Sequence, residues 1–295
     1  MHRIAVVGTI YREYCGVPLK PLTAGASGDG RISAAVSGGG RNIARTLRQL
    51  GEEVIFITAV GEDPDSFSIM EECEQAGLNT DYAVSVSGET MPKRLLITST
   101  NGTMEQAVYD RHALRALNRE FFLMHCMEVL SEVDAIVMDG DLPAEGLQFL
   151  ADTFRVPLFC DPGSLENAGK IRPILSKLFA IKPDLNEAFA LSAARERNTA
   201  AERILKMGTE NLFLSQGANG MYAVSQDGQS IQVPCKPAFL ENALGVGDAM
   251  SAAMVWGCLN GLSLSQTAEA AMRAASMTAS SKANINPDLT AAKLR

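Results

Sequence analysis

Asn42-Ile43-Ala44-Arg45-Thr46-Leu47-Arg48-Gln49-Leu50-Gly51, residues 42–51, places Ile43, Ala44, Leu47 and Leu50 at the spacing of one helical face. Gly51 stands where a left-handed residue closes a helix. Upstream, residues 4–7 are a strand-length apolar run ending at Gly8; downstream, residues 54–60 are another, ending at Gly61. Strand, helix, strand is the unit from which parallel sheets are built, because parallel neighbours need a long crossover.

The same alternation continues along the chain. A second helix is expected over about residues 65–76, and short apolar runs at 135–138, 157–160, 178–181 and 212–214 are separated by helix-compatible segments. Two further helices are expected over about 248–260 and 264–279. Residues 82–109 alternate irregularly around a turn at Asn101-Gly102 and read as a hairpin flanked by short strands. With no repeat or linker, the pattern predicts an α/β fold over 1–295 in a single domain. Its central sheet is mostly parallel with helices on both faces, and parts of about 10–35 and 82–110 form a small β lid. Ligands are expected beyond the carboxyl ends of the strands.

Composition narrows the function classes. The 295 residues carry 26 Lys and Arg against 34 Asp and Glu, a net charge of −8, which argues against binding to a nucleic acid polymer. No apolar run approaches the ~20 residues of a membrane span, and the amino-terminal residues lack a signal-peptide layout, so a cytoplasmic protein without membrane contact is expected. The six cysteines form no CxxC pair, and the three histidines form no ligand cluster. A metal, if used, should be a hard ion held by oxygens.

The strongest local motif is Gly245-Val246-Gly247-Asp248, which opens the helix carrying Met250, Met254, Val255 and Leu259. Unpaired amides at a helix start carry the positive end of its dipole, and glycines let an anion approach them. Asp248 is either a carboxylate favoured by that dipole or a general base beside a phosphoryl group held by the amides. No GxxxxGK[ST] loop is present, and Met250 occupies the third glycine position of GxGxxG. Three more turns accompany it: Ser37-Gly38-Gly39-Gly40-Arg41-Asn42, Lys182-Pro183-Asp184-Leu185-Asn186-Glu187 and Ser215-Gln216-Gly217-Ala218-Asn219-Gly220.

In this order the motifs resemble the ribokinase-like, or PfkB, family of carbohydrate and nucleoside kinases over nearly the whole chain. Residues 40–44, Asp161-Pro162, Lys182-Pro183, 247–250 and 286–289 are most similar to its pseudouridine kinase subgroup. The resemblance implies a ribokinase-like fold and an ATP- and Mg²⁺-dependent kinase acting on a hydroxyl of a small sugar or nucleoside. It further implies that Asp248 is the catalytic base and that the amides of Gly245, Val246 and Gly247 form an anion hole. Glu187 would help place Mg²⁺ together with the Asp184 turn. Ser215, Gly217 and Gly220 would lie on the nucleotide side with Asn284, and Gly38, Gly39 and Asn42 on the sugar side. Glu13 matches the family's sugar-gripping aspartate, Asp184 its usual asparagine, and Leu244 and Val246 its usual threonine and alanine.

Read singly, several residues have plainer alternatives. Asp141 and Asp161 follow strand-like runs and serve either a ligand or a helix cap. Arg94 and Arg111 weigh as solvated surface against a reach into the site from the lid. His112 and His125 read as surface or structural residues, and Trp256, Met250 and Met254 as core. Alternative functions are another sugar kinase of the family or a non-catalytic nucleotide or sugar sensor. Lid edges that pair with a second copy would give a homodimer.

Overall fold

The computed structural model describes residues 1–100, 104–235, 241 and 243–295. Its first strands are β1 (Arg3–Val7), β2 (Tyr11–Pro18), β3 (Gly30–Ser37), β4 (Glu53–Ile57), β5 (Ala59–Gly61), β6 (Val84–Val86), β7 (Lys93–Thr98) and β8 (Met104–Asp110). They are followed by β9 (Ala135–Asp139), β10 (Leu158–Asp161), β11 (Ala180–Ile181), β12 (Asn211–Ser215), β13 (Met221–Ser225) and β14 (Ser230–Val233). An eight-stranded sheet has the order β14-β13-β12-β11-β10-β9-β1-β4. Its strands from β4 to β12 run parallel, whereas β13 and β14 pair antiparallel because the turns joining them are too short for a crossover.

Both faces of the parallel part of this sheet are buried, which is why strands such as β1, β4 and β9 are apolar runs rather than alternating ones, whereas the edge strand β14, Ser230-Ile231-Gln232-Val233, alternates. On one face Ile4, Val6, Val54, Phe56, Ala135 and Val137 meet helices Gly39–Gln49, Val246–Leu259 and Leu264–Ala279. On the other, Ala5, Val7, Ile55, Ile57, Ile136 and Met138 meet Ala144–Thr153, Leu185–Ser192 and Arg197–Lys206. Trp256, Met250 and Met254 lie in the first of these layers, as their spacing suggested. A separate four-stranded sheet has the order β3-β2-β7-β8, and β5 pairs with β6 alone. The turn expected at Asn101-Gly102 lies outside the described residues.

Two expected boundaries change. The run 54–60 is not one strand: beyond Ile57 its neighbour β1 has ended, and the Thr58 carbonyl instead accepts from the Val84 amide at 2.9 Å. The first helix begins at Gly39 rather than near Asn42, so Gly39 and Gly40 of the quoted turn belong to its first turn. Close packing explains those glycines, since a Cβ on Gly40 would lie 2.6 Å from the Gly8 backbone. Among the described residues no helix is long and apolar enough to cross a membrane.

Gly40→Ala should therefore destabilise the protein. An exposed helix position would gain about 1 kcal/mol from this exchange, whereas overpacking backbone against backbone costs about 1–3 kcal/mol. A urea titration should show a lower midpoint for the variant; a higher one would contradict the packing account.

Candidate functional site

The sheet reverses its order at β1. The chain runs from β1 to β4 on one side and later returns to place β9 on the other, and such a switch opens a crevice beyond the strand ends. Asp139, the last residue of β9, sits in that crevice, 5 % exposed. Its Oδ2 accepts from the Thr9 amide at 3.0 Å, the Thr9 hydroxyl, and the Gly40 amide at 3.1 Å, while its Oδ1 accepts from the Asp141 amide at 3.0 Å. Burial, with repulsion from Asp141, nevertheless lifts its pKa to about 6.

Asp248 faces the same place. A Cβ on Gly39 would lie 3.3 Å from Asp139 Oδ2 and 3.6 Å from Asp248 Oδ1, so the bare glycine separates two carboxylates. The Asn42 side chain donates to Asp248 Oδ2 at 2.8 Å. Asp248 is half-buried, and its pKa rises to about 6 through burial and then the Asp161 charge, against the opposing pull of Asn42 and Lys182.

Gly245 caps the helix Val246–Leu259 with φ +77°, and a Cβ there would lie 2.0 Å from the Asn284 carbonyl oxygen. Only glycine combines that backbone region with that contact. The first backbone bond of the helix runs from Ala249 to Gly245 at 2.9 Å, leaving the amides of Val246, Gly247 and Asp248 without partners inside the helix. The segment preceding the turn falls partly outside the described residues.

Lys182 and Asp161 lie beneath this turn. Lys182 Nζ is 3.2 Å from Asp161 Oδ2 and 3.4 Å from where a Gly247 Cβ would stand. The Ser251 hydroxyl, one turn into the helix, donates to the same Asp161 oxygen. Burial alone would lower the Lys182 pKa, but Asp161 and Glu187 outweigh it and the ammonium is held above its ordinary value.

Asp184 and Glu187 form a capping box on Leu185–Ser192: Glu187 N donates to Asp184 Oδ1 at 2.8 Å, and Asp184 N to Glu187 Oε2 at 2.7 Å. Glu187 is buried, and burial with the Asp161 charge raises its pKa to about 7. The ends of β11 and β12 meet where Ser215 N donates to the Pro183 carbonyl at 3.0 Å. Gly217 begins a short turn through Asn219, and a Cβ on Gly220 would strike the Val233 carbonyl at 2.0 Å.

The model of the pfkB family carbohydrate kinases matches residues 1–291. The chain belongs to that family. It is therefore a phosphotransferase acting on an alcohol group, a kinase of small carbohydrates or nucleosides that takes its phosphoryl group from ATP. Among relatives, the pseudouridine kinase of Escherichia coli is 29% identical, covering 99% of this chain and 95% of its own length. The guanosine-inosine kinase of Exiguobacterium acetylicum is 26% identical over 98% of each chain. The ribokinase of Thermotoga maritima superposes with a TM-score of 0.86 at 19% identity, covering 100% of this chain and 98% of its own, and shares the ribokinase-like fold.

In this kinase, Asp248, the 245–247 turn, Gly39 and Asn42 converge on the crevice, and Gly38 caps the first helix with φ +119°. Glu13 does not stand free: it is 2 % exposed and accepts from Arg94 Nε at 2.7 Å across the paired strands β2 and β7. Arg94 is thus a half-buried partner of Glu13 and not solvated surface. Asp141 holds Arg111 at 2.7 Å and Asn167 at 2.9 Å, with the Tyr11 hydroxyl at 3.3 Å. His112 and His125 are exposed. Sequence reasoning passed over Asp139 and Ser251 and quoted Lys182 within a motif without giving it a role; the Asp139-Gly140-Asp141 strand end was the available signal for the first.

Asn42→Ala should raise the Asp248 pKa above about 6, because the lost hydrogen bond favours the charged carboxylate. Carbon-detected NMR titration of the aspartate carboxyls checks this, and an unchanged or lower value would refute it.

Proposed function

We propose that this kinase phosphorylates a hydroxyl of a ribosyl compound, pseudouridine foremost, with Asp248 as the base. The observation that carries the reading is the half-buried Asp248 carboxylate, fixed by Asn42 beside helix-start amides that have no partner inside the helix, at the switch-point crevice. Asp248 accepts the proton of the acceptor hydroxyl as its oxygen attacks the γ-phosphorus. The bond from that phosphorus to the β,γ-bridging oxygen breaks, and ADP leaves with that oxygen's electrons. The amides of the 245–247 turn donate to the equatorial oxygens, where one preorganised donor is worth about 3–4 kcal/mol in other enzymes.

Glu187 fits a divalent ion that arrives with the nucleotide. One of its oxygens holds the helix cap and the other lies outside it, and a cation would stabilise the charged form of a carboxylate that burial, and then the Asp161 charge, disfavour. Mg²⁺ would supply Lewis-acid neutralisation of the phosphate oxygens. Ser215, Gly217 and Gly220 would flank the nucleotide. Gly38, Gly39 and Asn42, with the Glu13–Arg94 pair and Asp141, would bound the sugar. The half-exposed Tyr109 ring, under the Arg111 guanidinium at 4.0 Å and edge-on to Tyr11 at 5.9 Å, offers a surface for a base and supports a nucleoside over a free sugar. The β3-β2-β7-β8 sheet would act as the lid, and its exposed Ile32 and Val108 suit pairing with a second copy.

A coupled assay of ADP release against pseudouridine, uridine, inosine, adenosine, ribose and fructose should show turnover on pseudouridine above the rest; turnover on a free hexose alone would reject the acceptor class. Asp248→Asn should lower kcat by about 10²–10⁴-fold with nucleotide binding retained. Because only the ionised carboxylate can take the proton, kcat of the wild type should rise with pH through about 6 and then level. A folded Asp248→Asn enzyme with wild-type turnover would remove Asp248 from the role.

A further inference from the structure

The 245–248 turn has a cation behind it that the proposed chemistry leaves unused. Lys182 leaves the end of β11 and runs beneath the first turn of helix Val246–Leu259, with 6% of its side chain accessible. Asp161 and Glu187 are buried with it, and Asp248 lies close enough to feel its charge. Three carboxylates surrounding one ammonium would repel an incoming polyphosphate unless that ammonium were turned toward it.

The geometry does turn it. An ammonium has three donors, and the salt-bridged partner of Lys182 among the described residues is Asp161, at 3.2 Å. Asp161 is itself held in place: its Oδ2 accepts from Ser251 and its Oδ1 from the Gly163 amide at 3.1 Å. The position a Gly247 Cβ would occupy lies 3.4 Å from Nζ, so the ammonium sits against the turn, and glycine places no side chain between the two. Gly247 therefore serves two ends: it bares the amides and it uncovers the lysine.

Resting on the kinase reading above, we propose that Lys182 donates to the γ-phosphoryl group held at the 245–247 turn, with Asp161 and Ser251 as its positioning residues. The lysine keeps its proton throughout; the bonds made and broken are those of the transfer already described. A bland alternative exists, in which Lys182 only neutralises Asp161 inside the fold. In that case removing both charges together would restore function, because breaking one member of a buried pair strands the other.

Calorimetry with a non-hydrolysable ATP analogue and with ADP, alongside steady-state kinetics, separates these outcomes. Lys182→Met and the double variant Lys182→Met/Asp161→Asn should both bind the analogue about tenfold or more weakly while ADP affinity stays within about threefold. Both should lose about a hundredfold in kcat, with acceptor KM little changed and part of the loss recovered by Lys182→Arg. Thermal melts confirm folding, and the charge-free double variant covers the case in which Lys182→Met alone fails to fold. A double variant with wild-type analogue affinity and kcat would overturn the proposal. A wild type that discriminates the nucleotides through Lys182 but phosphorylates no acceptor would sink the kinase reading alone, and one that binds neither nucleotide would sink both.

Discussion

One carboxylate sets the shape of the crevice. Asp139 ends β9, yet it takes its hydrogen bonds from Thr9, just past β1, and from Gly40, in the first turn of the first helix. Three segments far apart in sequence are thereby fixed at the one point where the sheet changes direction. The contact is possible because Gly8 and Gly40 bring backbone against backbone. Gly39 then lies between Asp139 and Asp248, so the same close packing fixes the spacing of the two carboxylates.

The electrostatics follow from crowding. Asp139, Asp161, Glu187 and Asp248 cluster in little space, and each raised pKa among them comes from burial joined by a neighbouring carboxylate. Such a site favours arrivals that carry positive charge or that meet compensating donors. It has donors in the helix-start amides and a permanent charge in Lys182. Held apart from its partners, this lysine would be costly to bury; with Asp161 at its side and Glu187 near, it keeps its proton.

Most of the fold could be read from apolar periodicity, because both faces of the sheet are covered and its strands leave unbroken runs such as 4–7 and 135–138. What could not be read depended on neighbours far along the chain. The break at Thr58 requires knowing that β6 takes over where β1 stops. The first-turn role of Gly39 and Gly40 requires knowing what presses on them. The same holds within the site. Asp248 and its glycines announced themselves through local helix-start chemistry, as did the Asp184 and Glu187 cap. Asp139 carried no local pattern, and Lys182, although part of a quoted motif, acquires its role only from Asp161 on another strand and Gly247 on a helix. Glu13 was visible as a residue, but its engagement by Arg94 arises from the register of β2 against β7.

The carbonyl of Asn284 fills the space beside Gly245 that a side chain would otherwise claim. The loop after helix Leu264–Ala279 is thus a wedge seated against the bend at the head of helix Val246–Leu259. Displacement of that wedge would be transmitted to the backbone dipoles at 245–248. Because the contact is made by a backbone carbonyl, a change in the path of the 280–290 loop would alter the bend even where the side chains lining the crevice stay the same.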